Sequence, residues 1–169
     1  RDRRVADALQ NLAVVLHEGG ALAEAEAHLL EAREIYDAVL EPDHFVRAYP
    51  RLTLASVRID RGDYRGAERV VREAVGILES TLPDSSYVIA AARCRLGRAL
   101  AGRGRRSEAR DLLEGGVETL AHTAQPSARY EVECRRALAE LYRELGREDL
   151  ARPQIAEIRT LERSGEGAS

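Results

Sequence analysis

The sequence predicts an all-α chain, a right-handed α-solenoid of four helix-turn-helix repeats with eight antiparallel helices. Three observations carry this. Gly20, Gly62, Gly104 and Gly146 stand 42 residues apart. Each Gly is followed five residues later by Ala (Ala25, Ala67, Ala109, Ala151) and preceded eight residues earlier by Leu (Leu12, Leu54, Leu96, Leu138). Apolar residues on both sides of each Gly recur at helical spacing. A fixed period of this length marks a stacked-repeat architecture, in which one unit cannot bury its apolar face alone.

The elements follow in order. Leu9, Leu12, Val15 and Leu16 give the first helix one apolar stripe, and Leu22, Ala25, Leu29, Ala32 and Ile35 do the same for the second. Later units repeat the pattern, as in Val70, Val71, Ala74, Ile77 and Leu78, or Leu138, Leu141, Tyr142 and Leu145. The expected helices are 3–18, 22–40, 44–60, 64–81, 85–102, 106–121, 127–144 and 148–163. The Gly column suits a left-handed helix C-cap, because Gly lacks a β-carbon. Units part at Glu41-Pro42-Asp43, Leu82-Pro83-Asp84-Ser85-Ser86 and Gln125-Pro126-Ser127, where Pro stops one helix and Asp or Ser can cap the next. Residue 13 and its counterparts (Ala13, Ala55, Gly97, Ala139) are small and are expected to meet the Ala25 column where two helices cross closely. The array is expected over 1–163, in units of about 1–42, 43–84, 85–126 and 127–163, with a flexible tail over 164–169.

Composition narrows the function. With 26 basic and 29 acidic residues in 169, the net charge is −3, so no global positive field attracts nucleic acid or an anionic membrane. Every basic residue is Arg. No apolar run approaches a membrane span, and Arg1-Asp2-Arg3-Arg4 is no signal block. The absence of Met points to a segment of something longer. Two Cys make no disulfide framework, and Cys94 and Cys134 are expected as buried free thiols, with a redox pair as the alternative. A cytoplasmic setting is expected.

The repeat columns carry a family resemblance. Leu54, Ala55, Gly62, Ala67, Val71 and Ala74, and again Gly97, Gly104, Ala109, Leu113 and Gly116, stand in tetratricopeptide-repeat (TPR) order. The usual TPR period is about 34 residues. The longer unit resembles kinesin light chain and many bacterial TPR proteins, as do Pro42-Asp43-His44-Phe45-Val46-Arg47-Ala48 and Gly62-Asp63-Tyr64-Arg65-Gly66-Ala67-Glu68. Some positions depart from it. Arg58 replaces a large apolar residue, Arg51, Arg93 and Arg135 fill a commonly aromatic column, and Pro50 and Pro153 fall inside expected helices, where each can kink its helix.

No catalytic constellation is present. His17, His28, His44 and His122 are scattered without ligand spacing. Gly102-Arg103-Gly104 follows a helix and lacks the Lys of a phosphate loop. The chain therefore reads as a non-enzyme without cofactor or metal. The TPR resemblance implies instead that first helices line a concave peptide groove. By position that groove takes Gln10, Asn11 and Val14 from the first unit and Tyr49, Leu52, Thr53 and Ser56 from the second. The third supplies Arg95 and Arg98, and the fourth Arg136, Glu140 and Arg143. Between Ala91 and Arg110 seven Arg face one acid, Glu108. Arg95, Arg98, Arg136 and Arg143 would suit an acidic peptide through bidentate guanidinium–carboxylate pairing. Alternatively these Arg pair with neighbouring Glu133, Glu140 and Glu144. Tyr49 and Leu52 would add an apolar anchor. The chaperone-tail clamp is not implied, since Gln10, Val14, Thr53 and Ala91 stand where Lys and Asn are needed. The expected partner is a protein or peptide, with no nucleic acid and no membrane, and with self-association through the array ends as a further route. The alternative is an oligomerisation or intramolecular regulatory segment of a larger bacterial protein, such as a kinase or transcription regulator.

Overall fold

A computed structural model describes residues 2–123 and 127–166. Among them every regular element is helical: α1 (Arg3–Glu18), α2 (Leu22–Val39), a 3-10 turn (Phe45–Arg47), α3 (Ala48–Asp60), α4 (Tyr64–Glu79), α5 (Tyr87–Gly102), α6 (Arg106–His122), α7 (Ala128–Glu144) and α8 (Glu148–Glu166). The helices pack as consecutive hairpins, α1 on α2, α3 on α4, α5 on α6 and α7 on α8. They form two compact units, Arg1–Pro83 and Asp84–Ser169, each with two hairpins.

One turn is built four times. Gly20, Gly62, Gly104 and Gly146 have φ of 80°, 79°, 77° and 70°, and they are the described residues with positive φ. At the first, Gly20 N–H donates to the His17 carbonyl at 3.0 Å and Ala21 N–H to the Leu16 carbonyl at 2.8 Å. Asp63, Arg105 and Arg147 repeat the outer bond onto Arg58, Leu100 and Tyr142 at 2.8, 3.0 and 2.8 Å. This pair of bonds satisfies carbonyls that a helix end leaves open and reverses the chain into the second helix.

The small columns lie at the hairpin crossings. A β-carbon on Gly97 would come 2.8 Å from Leu113 Cγ and 3.2 Å from the Ala109 carbonyl oxygen, which sets how near α5 and α6 run. Ala13, Ala25, Ala55 and Ala67 are fully buried at the corresponding places in the first unit. Further out on that unit, Ala6, Ala32, Ile35, Tyr36 and Val46 form one cluster, with Leu9 and Leu40 against it.

Three expectations are corrected. The helix expected over 44–60 begins as a 3-10 turn capped by His44, whose Nδ1 accepts from Val46 N–H at 3.3 Å, and α3 itself starts at Ala48. Pro50 therefore falls in the first turn of α3, where its missing N–H leaves no intrahelical bond unmade. It sits at the helix entry and not in its interior. The last helix runs through Pro153 and ends at Glu166 instead of 163. Residues 167–169 of the expected tail, and Gln125 and Pro126 of the third unit break, lie outside the described residues. The expectation of free thiols also fails: Cys94 and Cys134 are joined by a disulfide, S–S 1.97 Å, with Cα atoms 5.4 Å apart.

The polar departures from the repeat have specific partners. Arg51, 7% exposed, donates to Asp37 on α2 at 2.7 Å, to Glu73 on α4 at 3.3 Å and to the Arg47 carbonyl at 2.8 Å. Arg47 reaches the other Asp37 oxygen at 2.8 Å. Arg58 donates to Glu26 on α2 at 2.9 Å, and Arg61 joins it on the same carboxylate. In the other unit Arg135 binds Glu131 at 2.8 Å and Gln154 at 2.8 Å. A planar, always-charged guanidinium can satisfy several acceptors where an aromatic ring would only fill space.

Desolvation works against the Asp37 carboxylate, but hydrogen bonds from Arg51 and Arg47 outweigh it and hold its pKa below the usual 3.8. A depressed carboxylate pKa stabilises the fold above the unfolded value, and that contribution is lost as pH falls through the lowered folded one. The first unit is thus expected to lose stability below about pH 4. In thermal melts between pH 6 and pH 2, Asp37→Asn should start less stable and show a shallower acid loss. Identical pH slopes for wild type and Asp37→Asn would rule out this source.

Candidate functional site

In the unit of α1–α4, the first helices of its two hairpins meet along one side. Gln10 Nε2 donates to Thr53 Oγ1 at 3.5 Å, and Thr53 Oγ1 donates back to the Tyr49 carbonyl at 3.3 Å. His17 Nε2 lies 2.6 Å from Asp60 Oδ2 and joins the far ends of the same two helices. Gln10, Val14, Thr53 and Ser56 are half-buried along this line, and Asn11 is exposed beside it. The Gln10 Oε1 is buried and accepts no hydrogen bond among the described residues. Ser56 Oγ turns back to the Leu52 carbonyl at 3.3 Å.

Tyr49 is 36% exposed and Phe45 38% exposed, with ring centroids 6.0 Å apart edge to face, and His44 stacks on Phe45 at 5.3 Å. Leu52, expected to stand with Tyr49 as an apolar anchor, is 7% exposed and belongs to the core. The available anchor beside Tyr49 is Phe45. Its sequence signal was membership of the Pro42–Ala48 phrase, which read as a mark of the family resemblance.

In the unit of α5–α8, Arg95 lies between α5 and α7. It donates to Glu133 at 3.1 Å and to the Ala91 carbonyl at 3.2 Å, and its guanidinium carbon sits 5.4 Å from the Tyr130 ring centroid. Burial pulls the Arg95 pKa below the usual guanidinium range, while Glu133 and Tyr130 oppose that shift. Tyr130 stacks on Tyr87 at 6.1 Å. Arg95, Arg98, Ala91, Cys94, Tyr130 and Glu133 line one small depression. Arg136 and Arg143 do not share it. Arg136 donates to Glu162 on α8 at 3.2 Å, and Arg143 lies 3.7 Å from Glu148, also on α8. Glu140 is exposed on α7. The four Arg therefore divide between an α5–α7 cluster and an α7–α8 edge. Tyr87 and Tyr130, near the starts of two first helices, are absent from the groove that position alone implied.

The disulfide stands behind this depression. Cys94 on α5 and Cys134 on α7 are 4% and 0% exposed. A β-carbon on Gly116 of α6 would fall 2.3 Å from the Cys94 sulfur and 3.2 Å from the Cys134 sulfur. Ala32 and Ala74 occupy the Gly116 column in earlier units, so the chain drops one carbon where the two sulfurs need its room.

At the α6–α7 contact, Tyr142 donates to Glu114 at 2.6 Å. Burial, reinforced by that hydrogen bond, pushes the Tyr142 phenol up to about 12. No helix among the described residues is long and apolar enough to cross a membrane.

Helical hairpins repeated at a fixed period, with capped Gly turns and small crossing residues, define a helical-repeat protein of the α-solenoid class. The chain belongs to the tetratricopeptide-repeat family, whose models match residues 4–80, 89–123 and 132–157. It is similar in structure to the kinesin light chain TPR-like repeats of Podosopora anserina, at 23% identity and TM-score 0.68, covering 95% of this chain and 76% of that one. BtubC (BKLC) from P. vanneervenii matches at 16% identity and TM-score 0.77, over 99% of this chain and 67% of that one. MamA, residues 41 to the end, from Desulfovibrio magneticus RS-1 matches at 16% identity and TM-score 0.61, over 94% and 76%. At these identities the likeness is one of fold. No curated protein sequence matches the chain.

Proposed function

We propose that the chain is a non-catalytic protein-interaction module, one array over residues 1–163, that takes peptide segments along the sides of its first helices. The observation that carries this reading is the exposed Phe45–Tyr49 pair beside the polar line of Gln10, Asn11 and Thr53. A rigid aromatic pair supplies buried area on binding at low entropic cost, and adjacent amides serve an extended peptide's backbone. The preference for an acidic peptide rests on Arg98, Arg136 and Arg143. Arg136 and Arg143 are held by exposed pairs with Glu162 and Glu148, with side chains 58% and 55% accessible. Such pairs contribute little and can be exchanged for ligand carboxylates. Arg95, buried against Glu133 and Tyr130, acts instead as a positioning residue for the α5–α7 side.

The test is a peptide-library selection on the chain, repeated with Tyr49→Ala and with Arg136→Glu/Arg143→Glu. Enriched peptides are expected, those with apolar anchors lost from Tyr49→Ala and acidic ones lost from the Arg variant, while circular dichroism stays unchanged. No enrichment would sink the reading, and enrichment unchanged by the Arg variant would remove its acidic part.

One observation favours the second reading, an oligomerisation or intramolecular regulatory segment of a larger bacterial protein: the large apolar residues Val5, Leu12 and Val15 are exposed on α1. The cytoplasmic setting expected from the sequence sits against the disulfide, because cytosolic thiols are kept reduced. The cystine favours an oxidising compartment.

A further inference from the structure

The face of α1 departs from its own repeat in one respect. Val5, Leu12 and Val15 are 47%, 45% and 65% exposed, and Ala8 between them is exposed as well. For Ala8, Leu12 and Val15, the same columns in α3 hold Pro50, Leu54 and Val57, and in α7 they hold Cys134, Leu138 and Leu141, all of them buried. The covering element is a helix each time, α2 over α3 and α6 over α7. The architecture thus states what kind of surface α1 offers, namely one shaped to receive a helix. Its chemistry also differs from that of α3. Where α3 carries Arg51 and Arg58 for the acids of α2, α1 carries Leu9 and Leu16, so it makes no such ion pairs from those columns.

The exposed residues lie at 5, 8, 12 and 15, alternating steps of three and four, which is the spacing of a two-stranded helical seam. Run antiparallel against itself, this seam sets Val5 opposite Val15 and Ala8 opposite Leu12, large against small. The flanking positions are Arg4, Asn11 and Glu18. In that same register Arg4 of one copy faces Glu18 of the other, twice by symmetry, and Asn11 faces Asn11 on the axis. The Arg4 side chain is 88% accessible and pairs with Asp2 at 2.8 Å, an exposed pair that can be exchanged for Glu18 of the second copy. The charge order, basic at the helix start and acidic at its end, is complementary to an antiparallel copy of itself and repulsive to a parallel one.

We infer that α1 is a self-association surface, and that two copies of this chain pair through it as antiparallel helices about a two-fold axis, Val5–Val15 and Ala8–Leu12 forming the seam and Arg4–Glu18 fixing its direction. An isologous contact of this kind closes on itself and gives a dimer, not a filament. A single helix pair buries less than a standard stable interface, so the dimer is weak and concentration-dependent. The inference deepens the second reading above and does not use the peptide-binding side, so either can fail alone.

The experiment is sedimentation velocity on the chain from micromolar to millimolar concentration. Mass is expected to rise from monomer to dimer and stop there. Leu12→Glu/Val15→Glu should remain monomeric throughout with unchanged helicity and melting, since both residues are exposed already. Glu18→Arg should weaken association about tenfold, from two lost pairs and two new repulsions, and Arg4→Glu/Glu18→Arg should restore it. A monomer at every concentration overturns the proposal. So does a seam variant that dimerises like wild type, or a double charge reversal that fails to restore what the single one removed.

Discussion

Reduction of the Cys94–Cys134 disulfide is expected to destabilise the unit of α5–α8 by about 4 kcal/mol. The two Cys are 40 residues apart, and releasing a loop of that length returns chain entropy to the unfolded state worth roughly that much at 25 °C. The packing offers little to offset it. Both sulfurs are buried against α6 at Gly116, and two unbonded sulfurs need more separation than a bonded pair, so the space that fits the cystine crowds the dithiol. Thiol titration under denaturing conditions should find no free thiol before reduction and two after. Hydrogen exchange before and after reduction should lose protection in α5–α8 and keep it in α1–α4. Cys94→Ala/Cys134→Ala should show the same loss without any reductant. Two titratable thiols in the unreduced protein, or protection unchanged by reduction, would overturn it.

That disulfide also marks where sequence reading stopped. The period, the Gly turns and the small crossings were legible because each repeats four times and answers to a local rule: only Gly takes the left-handed cap freely, and only Ala or Gly fits a close crossing. Cys94 and Cys134 answer to no such rule. Cys94 stands in the column of Gln10, Leu52 and Arg136, and Cys134 in that of Ala8, Pro50 and Ala92, so no shared column joined them and a redox pair stood only as the alternative to free thiols. Side chains of successive first helices meet at offsets near the period but not equal to it, as Gln10 and Thr53 do and as Arg95 and Glu133 do. The one available signal was Gly116, a Gly where the earlier units have Ala32 and Ala74. The candidate site was legible to the same depth. Position placed Tyr49, Thr53, Gln10 and Arg95 on first-helix sides. It did not foresee that Arg136 and Arg143, on long flexible stems, would turn to Glu162 and Glu148 of the following helix.

The second large effect is a contrast within one repeat column. Leu54→Ala is expected to cost about 2–5 kcal/mol, whereas Leu12→Ala in the same column should change monomer stability by less than about 1 kcal/mol. Leu54 is fully buried on α3, covered by α2 and flanked by the Arg51–Asp37 and Arg58–Glu26 pairs that hold α2 in place. The surroundings cannot collapse onto the lost side chain without breaking those pairs, so a cavity remains and adds to the lost transfer energy. Leu12 is 45% exposed, and its removal leaves no enclosed cavity. Urea denaturation of both variants at low micromolar concentration, where α1 is unpaired, measures the two costs directly. A similar loss for both would mean that the column itself, and not the helix that covers it, sets the energy. The contrast should narrow as protein concentration rises, because a second copy covering α1 makes Leu12 an interior residue of the dimer. The same leucine then counts once toward folding at residue 54 and once toward association at residue 12, according to the helix that each one meets.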